Sequence, residues 1–305
     1  MLPLVVCVAA QEAHAEVGLP ARTRAALLVH SARLRAQPTA DRALGLSILQ
    51  GAFAAPAALG SRAERFTLLL LQSSRGTSFC AVTAGRGDLR EIFARMHGRR
   101  AGSAGGHELY APRRGAWHLS LLDGGEIVEG SLQGLRLALA TADDSAQASH
   151  ATLQHTLRRQ PDTRAVATLL YLAPSEGANL VRILRDLDTI WRDLALVVAP
   201  YETALGMLGK MRGGRADLRE KGKHLYARII LVAMNRGAAK RSHLALRTGR
   251  MLAPLASQAA IRSGSMTRAE AEVLGEVLET MQTRVEKDRI HIELRIPSSV
   301  VPAAE

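Results

Sequence analysis

Residues 283–296 read Thr283-Arg-Val-Glu-Lys-Asp-Arg-Ile-His-Ile-Glu-Leu-Arg-Ile296. From residue 290, apolar and polar side chains alternate: Ile290, Ile292, Leu294 and Ile296 against His291, Glu293 and Arg295. A period of two is typical of a β-strand with one buried and one solvated face. Because Lys287 and Asp288 interrupt the apolar pattern, the segment predicts an antiparallel hairpin with strands over 283–286 and 289–296.

Similar short apolar runs, bounded by turn residues, predict strands in the first half of the chain. They lie at residues 25–30, 66–71, 78–84, 107–111, 117–122 and 126–129. The last two runs are separated by Asp123-Gly124-Gly125. This is a typical tight hairpin turn, because aspartate and glycine tolerate positive φ angles.

Helices are predicted between these strands. Residues 39–52 have apolar side chains at helical spacing, and Asp88 is placed to cap a helix that ends near residue 97. Ser131 is placed to cap another helix that ends near residue 140. The Gly-rich residues 98–106 are predicted to form a turn.

The second half of the chain repeats this alternation of strands and helices. The predicted strands are 164–170, 194–199, 203–211 and 225–235, and the predicted helices are 175–193, 237–260 and 267–278. Residues 141–149 are polar and small, as in a linker. We therefore predict an α+β fold of two similar halves, 16–145 and 146–305, each a mainly antiparallel sheet with packed helices.

Positive charge is concentrated in one part of the chain. The sequence has 40 lysines and arginines against 28 acidic residues, a formal charge of +12 at pH 7. Residues 209–250, the basic segment, contain twelve of the basic side chains against Asp217 and Glu220, a local charge of +10. Such a local excess is what binding to an anionic partner requires.

Glycines predict a mobile loop near the start of the basic segment. Gly213 and Gly214 break the strand pattern between the predicted strands 203–211 and 225–235. Guanidinium and ammonium groups on such a loop would surround phosphates or acidic polysaccharide. The candidate anion-binding residues are Lys210, Arg212, Arg215, Arg219, Lys221 and Lys223. The alternative interpretation is a solvated hairpin tip without a ligand, because charge runs are usually solvated.

The first fifteen residues have features of a signal peptide. A short apolar run precedes Ala13 and Ala15, which match the small residues of a cleavage site. We therefore expect residues 1–15 to be removed and the protein to be exported to the periplasm or cell envelope. Cys80 would then be the remaining cysteine, so no internal disulfide is expected. Elsewhere in the sequence, too, apolar runs are shorter than the ~18 residues that a membrane-spanning helix needs.

Three stretches carry a resemblance to other proteins. Residues 22–30 read Arg-Thr-Arg-Ala-Ala-Leu-Leu-Val-His and are followed by Arg-Leu-Arg-Ala-Gln-Pro at 33–38, residues 121–131 read Leu-Leu-Asp-Gly-Gly-Glu-Ile-Val-Glu-Gly-Ser, and the terminal strand ends at Pro297. Together they resemble uncharacterised exported proteins of myxobacteria and similar GC-rich bacteria. The resemblance spans most of the chain and implies an envelope location. Its motifs are turns and strands, so it implies no activity and no functional residues.

The spacings of common catalytic and cofactor motifs are absent from the sequence. A phosphate-binding loop ending at Lys210 would need glycine at Ala204 and serine or threonine at Met211. Ser131 is the second residue of Gly-Ser-Leu-Gln-Gly, whereas a nucleophile elbow has serine third. No two histidines are four residues apart. The sequence therefore predicts no catalytic residue, no cofactor and no metal.

Three functions remain as hypotheses. We favour a non-enzymatic envelope protein whose basic segment docks an anionic envelope component or a protein partner. A cytoplasmic nucleic-acid-binding protein is the first alternative, which the sequence pI of about 10.7 favours. A hydrolase with a site assembled from distant residues is the second. Its candidate carboxylates, Asp123, Glu126 and Glu129, are expected to face water around the hairpin turn, with a glycosidase-type pair left open.

Overall fold

A computed structural model describes residues 23–44, 50–73, 76–113, 117–139, 164–172, 211–222, 224–264 and 266–296. The strands are β1 (Thr23–His30), β2 (Ala63–Ser73), β3 (Gly76–Gly85), β4 (His97–Ala104), β5 (His107–Pro112), β6 (His118–Leu121), β7 (Ile127–Gly130), β8 (Ala167–Leu172), β9 (Met211–Lys221), β10 (His224–Ala233), β11 (Gln282–Glu286) and β12 (Arg289–Ile296). The helices are α1 (Ser31–Ala36), α2 (Pro38–Leu44), α3 (Ala54–Leu59), α4 (Leu89–Met96), α5 (Leu132–Leu139), α6 (Arg236–Arg262) and α7 (Arg268–Thr280).

Within these ranges the strands form one antiparallel sheet of 12 strands, in the order β11-β12-β10-β9-β8-β1-β2-β3-β7-β6-β5-β4. β1 and β8 pair near the middle, with Leu27 opposite Leu169. Strands from both sides of the predicted boundary at residue 145 therefore belong to the same sheet. The predicted α+β fold class with an antiparallel sheet is confirmed.

One face of the sheet is apolar along most of its width. Near the centre it presents Val29 and Phe66, which pack with Phe53 and with Leu218 of β9. The rings of Phe53 and Phe66 lie 5.3 Å apart. Farther along the same face, α3 and α4 cover β6 and β7, and their Leu59, Phe93 and Ile127 side chains share a cluster. This burial of apolar area provides the main driving force for folding.

Helices α6 and α7 cover the apolar face at the β10–β12 end. Ala238 and Ala239 of α6 pack with Ile290 and Ile292 of β12 in a buried cluster. Asn235 begins α6, because its side-chain oxygen accepts a hydrogen bond from the backbone N–H of Ala238 at 2.8 Å. The predicted helices 237–260 and 267–278 are confirmed by α6 and α7.

The opposite face of the sheet differs between its two ends. Over β2, β3 and β7 it is apolar and is covered by α5, whose Leu135 packs with Leu69, Cys80 and Val128. Ser131 caps α5 by accepting a hydrogen bond from the Gly134 N–H at 3.0 Å, as the sequence predicts. Over β9, β10 and β12 the same face carries charged side chains, so this end differs chemically from the rest of the sheet.

Several hairpins agree with the sequence. The terminal hairpin is confirmed, because β11 and β12 pair from Gln282 opposite Glu293 to Glu286 opposite Arg289. β2 and β3 form the strand pair predicted for residues 66–71 and 78–84. β6 and β7 pair on either side of the predicted Asp-Gly-Gly turn.

The predicted turn at residues 98–106 is wrong. Most of it is the edge strand β4, which pairs with β5, and only Gly105 and Gly106 form the turn, with φ of +56° and +83°. Two consecutive positive φ angles are characteristic of a tight two-residue hairpin. The other glycines lie within the strand at irregular pairing: Gly102 has φ of +141° where the β4–β5 register shifts.

Other predictions lie outside the described residues. These are the signal peptide 1–15, the linker 141–149, the helix 175–193, the strand 194–199 and most of the strand 203–211.

Candidate functional site

The mobile loop predicted around Gly213 and Gly214 of the basic segment is wrong. Residues 211–221 form β9, which lies inside the sheet between β8 and β10. The Leu231 side chain packs over Gly214, because a Cβ atom there would lie 2.9 Å from the Leu231 Cδ2 atom. The connection to β10 is short, with Lys221 opposite His224. Its Gly222 has a φ of +64°, which favours glycine.

The six candidate anion-binding residues have different environments. Arg212 is exposed at a register shift near the start of β9, and Lys221 is exposed at its end. Arg219 is half-buried, with its guanidinium 5.9 Å from the centre of the Tyr226 ring. Arg215 is buried. The remaining two, Lys210 and Lys223, lie outside the described residues.

Arg215 is held in a buried ion pair. Its Nε donates to both Asp217 carboxylate oxygens, at 2.9 and 2.7 Å, and its Nη2 donates to Oδ1 at 2.7 Å. The Thr168 hydroxyl of β8 also donates to Asp217 Oδ1, at 2.7 Å. The two charged side chains are only 4% and 2% exposed. This geometry neutralises Arg215 internally, so its role is structural rather than ligand binding.

Cross-strand pairing gathers polar side chains from β8 to β12 on one side of the sheet, which we call the charged face. Residues that lie opposite one another on adjacent strands form rows across this face. One row is Thr168, Asp217, Arg228 and Glu293, a second is Arg215, Ile230, His291 and Arg284, and a third is Arg219, Tyr226 and Arg295. Its cations outnumber its carboxylates: Arg215, Arg219, Lys221, Arg228, Arg284, Arg289 and Arg295 against Asp217, Glu286 and Glu293. The charged face therefore has net positive charge after its internal pairs are counted.

Arg228 and Arg295 are distinguished among the cations of the charged face by their Nε atoms. Arg228 Nε lies 3.6 Å from Glu293 Oε1, which is an ion pair but too long for a hydrogen bond. The Nε atoms of Arg228 and Arg295 are both buried, and neither has a hydrogen-bond partner among the described residues. A buried guanidinium N–H without an acceptor is costly. An acceptor that reached these two N–H groups would remove that cost.

His291 is buried on the same face, opposite Ile230 of β10 and Arg284 of β11. It is 6% exposed, and neither ring nitrogen has a hydrogen-bond partner within the described ranges. Burial lowers the pKa of His291, the nearby Arg284, Arg228 and Arg289 lower it further, and Glu286 partly opposes them. The sequence predicts His291 on the solvated side of its strand, and the burial of its side chain corrects that expectation.

We expect acid to destabilise the fold through His291. The unfolded chain takes up a proton near pH 6.5, whereas the folded protein does so only at lower pH. The free energy of unfolding should therefore decrease as the pH falls below about 6.5. In His291→Leu this part of the decrease should be absent, as urea unfolding at pH 7.5 and 5.5 would reveal. Equal decreases in both proteins would contradict the assignment.

The sequence identifies several residues of the charged face as candidate anion-binding residues, but it does not indicate which residues of other strands lie beside them. The alternation Arg215-Ala-Asp217-Leu-Arg219 has the period of two that marks a strand, and this signal identifies β9. The pairing of β10 with β12 joins residues more than sixty positions apart, such as Arg228 and Glu293. Nothing local in the sequence indicates that contact.

Of the three carboxylates proposed for a hydrolase, Asp123 is exposed in the turn, and Glu126 and Glu129 do not form a pair. Glu126 lies on the face covered by α5, where its Oε1 is 3.7 Å from Nη2 of Arg65. Glu129 is buried on the opposite face, where it accepts hydrogen bonds from the N–H groups of Ala54 and Ala55 at 2.9 and 2.6 Å. The expectation that Glu129 faces water is therefore wrong, because its carboxylate caps α3. Carboxylates on opposite faces cannot flank one glycosidic bond.

Other reactive groups are buried or isolated. Burial raises the pKa of the Cys80 thiol to about 12, so it stays protonated, as expected for a cysteine within an apolar strand. In the described part of the chain, no three His, Cys, Asp or Glu side chains gather as metal ligands would. None of the helices within the described ranges is both long and apolar enough to cross a membrane.

Neither a protein-family model nor a curated protein matches this chain. Its solved structural neighbours are distant. One is crystal form I of TP0453, with 12% sequence identity, coverage of 94% of this chain and 95% of that chain, and a TM-score of 0.42. Another is crystal form III of TP0453, with 11% identity, coverage of 91% of each chain and a TM-score of 0.40.

Proposed function

We propose that the protein is a non-enzymatic binding protein of the cell envelope, and that its charged face docks an anionic envelope component or an acidic protein partner. The signal-peptide pattern of residues 1–15 and the resemblance to exported proteins support the location. The binding role rests on a comparison of the two halves of the sheet, which we propose to be diverged copies of one unit.

The strand arrangement supports a duplication. β2 and β3 have 11 and 10 residues, and so do β9 and β10. Each hairpin has a register shift near the start of its first strand. In β2 the shift lies between Ala63 and Arg65, and in β9 it lies between Met211 and Gly213, which pair with Ala233 and Val232. In the sheet order, β1-β2-β3-β7-β6 corresponds to β8-β9-β10-β12-β11. The first strands of the two units, β1 and β8, pair with each other, as a twofold relation requires.

Aligning the two hairpins at their turns identifies equivalent positions, and these carry the functional argument. Leu69, Leu71 and Cys80 are buried in the first unit, where Leu69 and Cys80 pack with Leu135 of α5. Their equivalents in the second unit are Asp217, Arg219 and Arg228. Positions that form apolar core in one copy thus carry charge in the other. Asp217 belongs to the internal pair with Arg215, so we attribute to ligand binding the charges of the half-buried Arg219 and Arg228, which are unfavourable for stability at these positions.

Binding to fluorescently labelled heparin tests this proposal. Heparin provides sulfate and carboxylate groups that represent anionic polysaccharides of an envelope. In Arg228→Gln/Arg295→Gln we expect the affinity to fall by about tenfold or more, because two guanidinium contacts are lost. The plot of the logarithm of the binding constant against the logarithm of the salt concentration should become less steep by about two, one for each lost cation.

A matched control removes the same charge from elsewhere in the molecule. Arg90 and Arg99 are exposed on the first half of the chain, so Arg90→Gln/Arg99→Gln should bind heparin nearly as tightly as the wild type. Equal losses in both variants would mean that binding follows net charge alone, and the charged face would lose its assigned role. Unlabelled duplex DNA and unlabelled heparin can each be tested as competitors of the labelled heparin. Displacement at a lower concentration of DNA than of heparin would favour the nucleic-acid alternative.

A further inference from the structure

Helix α6 exposes a row of large apolar side chains. Met251 is 79% exposed, Leu255 65%, Leu244 64% and Leu252 52%. Leu244, Met251 and Leu255 are separated by seven and four residues, so they lie along one side of the helix. We call these three residues, with Leu252 beside them, the α6 stripe. A single exposed leucine is ordinary, but an exposed row of this kind marks an interaction surface.

The stripe points away from the sheet. The side of α6 that packs inward begins at Ala238, Ala239 and Ser242, which are buried, and continues at Leu246. Arg250 anchors the helix to the end of α7, where its Nη1 donates to the Met281 carbonyl at 2.7 Å. From Leu246 the spacing to Leu244, Met251 and Leu255 corresponds to the opposite side of the helix. The stripe is therefore accessible without rearrangement of the packed side.

The charge of α6 indicates what the stripe contacts. The helix has 27 residues and no acidic side chain, while its basic residues are Arg236, Lys240, Arg241, Arg247, Arg250 and Arg262. Lys240, Arg241 and Arg247 are exposed near Leu244, and Arg262 is exposed at the far end. Apolar side chains on one side, with cations around them, are the features of a helix that lies in a membrane interface.

We propose that α6 docks the protein on the surface of an anionic lipid bilayer. The helix lies parallel to the bilayer, with the α6 stripe among the acyl chains near the headgroups and its lysine and arginine side chains beside lipid phosphates. Burial of leucine and methionine provides the affinity, and the cations provide preference for anionic lipid. This surface lies on the apolar side of the sheet, opposite the charged face, and does not depend on the proposed function.

Vesicle flotation of the full chain tests the proposal. We expect the protein to float with vesicles of phosphatidylglycerol and phosphatidylcholine, and to float far less with phosphatidylcholine alone. In Leu244→Gln/Met251→Gln/Leu255→Gln, partitioning should fall by about tenfold or more, because three apolar side chains no longer enter the bilayer. In Lys240→Gln/Arg241→Gln/Arg247→Gln it should fall at low salt and become less dependent on salt.

Two controls separate the stripe from other causes. Met234 is 54% exposed just before α6, so Met234→Gln should float like the wild type. Arg228→Gln/Arg295→Gln should also float normally, which separates this test from that of the charged face. Unchanged circular dichroism would show that the glutamine variants fold.

Two results would overturn the proposal. One is flotation of the Leu244→Gln/Met251→Gln/Leu255→Gln variant equal to that of the wild type. The other is a wild-type dimer that binds no vesicles and becomes a monomer in this variant, which would assign the stripe to a second copy of the chain.

Discussion

Replacing Asp217 with leucine is expected to destabilise the fold by about 3–5 kcal/mol, because it leaves a buried arginine without its carboxylate. Arg215 is 4% exposed and donates three hydrogen bonds to Asp217, so water cannot replace the lost partner without a change in structure. Thr168 also loses the acceptor of its hydroxyl. Urea unfolding followed by circular dichroism would measure the loss.

The double variant Arg215→Met/Asp217→Leu is the decisive control. If the loss in Asp217→Leu arises from an uncompensated charge, removing that charge as well should restore most of the stability. Both replacements are apolar and of similar size to the residues removed. A double variant as unstable as the single one would mean that the ion pair provides packing that methionine and leucine cannot reproduce. If Asp217→Leu lowered the free energy of unfolding by less than about 1 kcal/mol, the ion pair would be contributing only as much as a solvent-exposed pair does.

Local patterns in the sequence were sufficient for much of the fold. The hairpins at β2–β3, β6–β7 and β11–β12 follow from alternation and turn residues, since their strands are close neighbours in the chain. The helix caps at Asp88 and Ser131 were equally accessible, because a cap involves residues only three positions apart. Register and capping within such short segments depend on local chemistry.

Glycine was the main source of error. In β9 and β4, glycines within strands suggested a loop and a turn, because glycine usually weakens a strand. Gly214 lies in β9 with the Leu231 side chain of the neighbouring strand packed over it, 2.9 Å from where a Cβ atom would be. Gly98 is in a strand beside the Ala111 carbonyl, which would lie 3.0 Å from a Cβ atom. Such requirements come from strands that approach each other in space, which the local sequence does not encode.

The charged face was less predictable than the strands that form it. Alternation predicts which side chains share one face of a strand, but not which strands are neighbours. The juxtaposition of Arg215 with Asp217 is local, whereas that of Arg228 with Glu293 needs the order of strands in the sheet. Most of the positive charge of the basic segment consequently lies on a strand face and along α6, not on a loop.

Glu129 is expected to be the second most sensitive polar position. Its two carboxylate oxygens accept the N–H groups of Ala54 and Ala55, which open α3 and have no partner within that helix. In Glu129→Leu both N–H groups lose their acceptor inside the protein, and we expect the free energy of unfolding to fall by about 2–4 kcal/mol. Glu129→Gln retains one acceptor oxygen, so its loss should be about half as large.

The pH dependence of stability distinguishes a buried carboxyl from a solvated one. Burial raises the pKa of Glu129 above its ordinary value of 4.5, and the hydrogen bonds from Ala55 and Ala54 only partly oppose this effect. The folded protein therefore retains a proton that the unfolded chain releases, so the contribution of Glu129 to stability decreases as the pH rises above about 4.5. Glu129→Gln cannot ionise, and its stability relative to the wild type should rise over this range. A constant difference between the two proteins from pH 4 to 7 would mean that Glu129 ionises as it does in water.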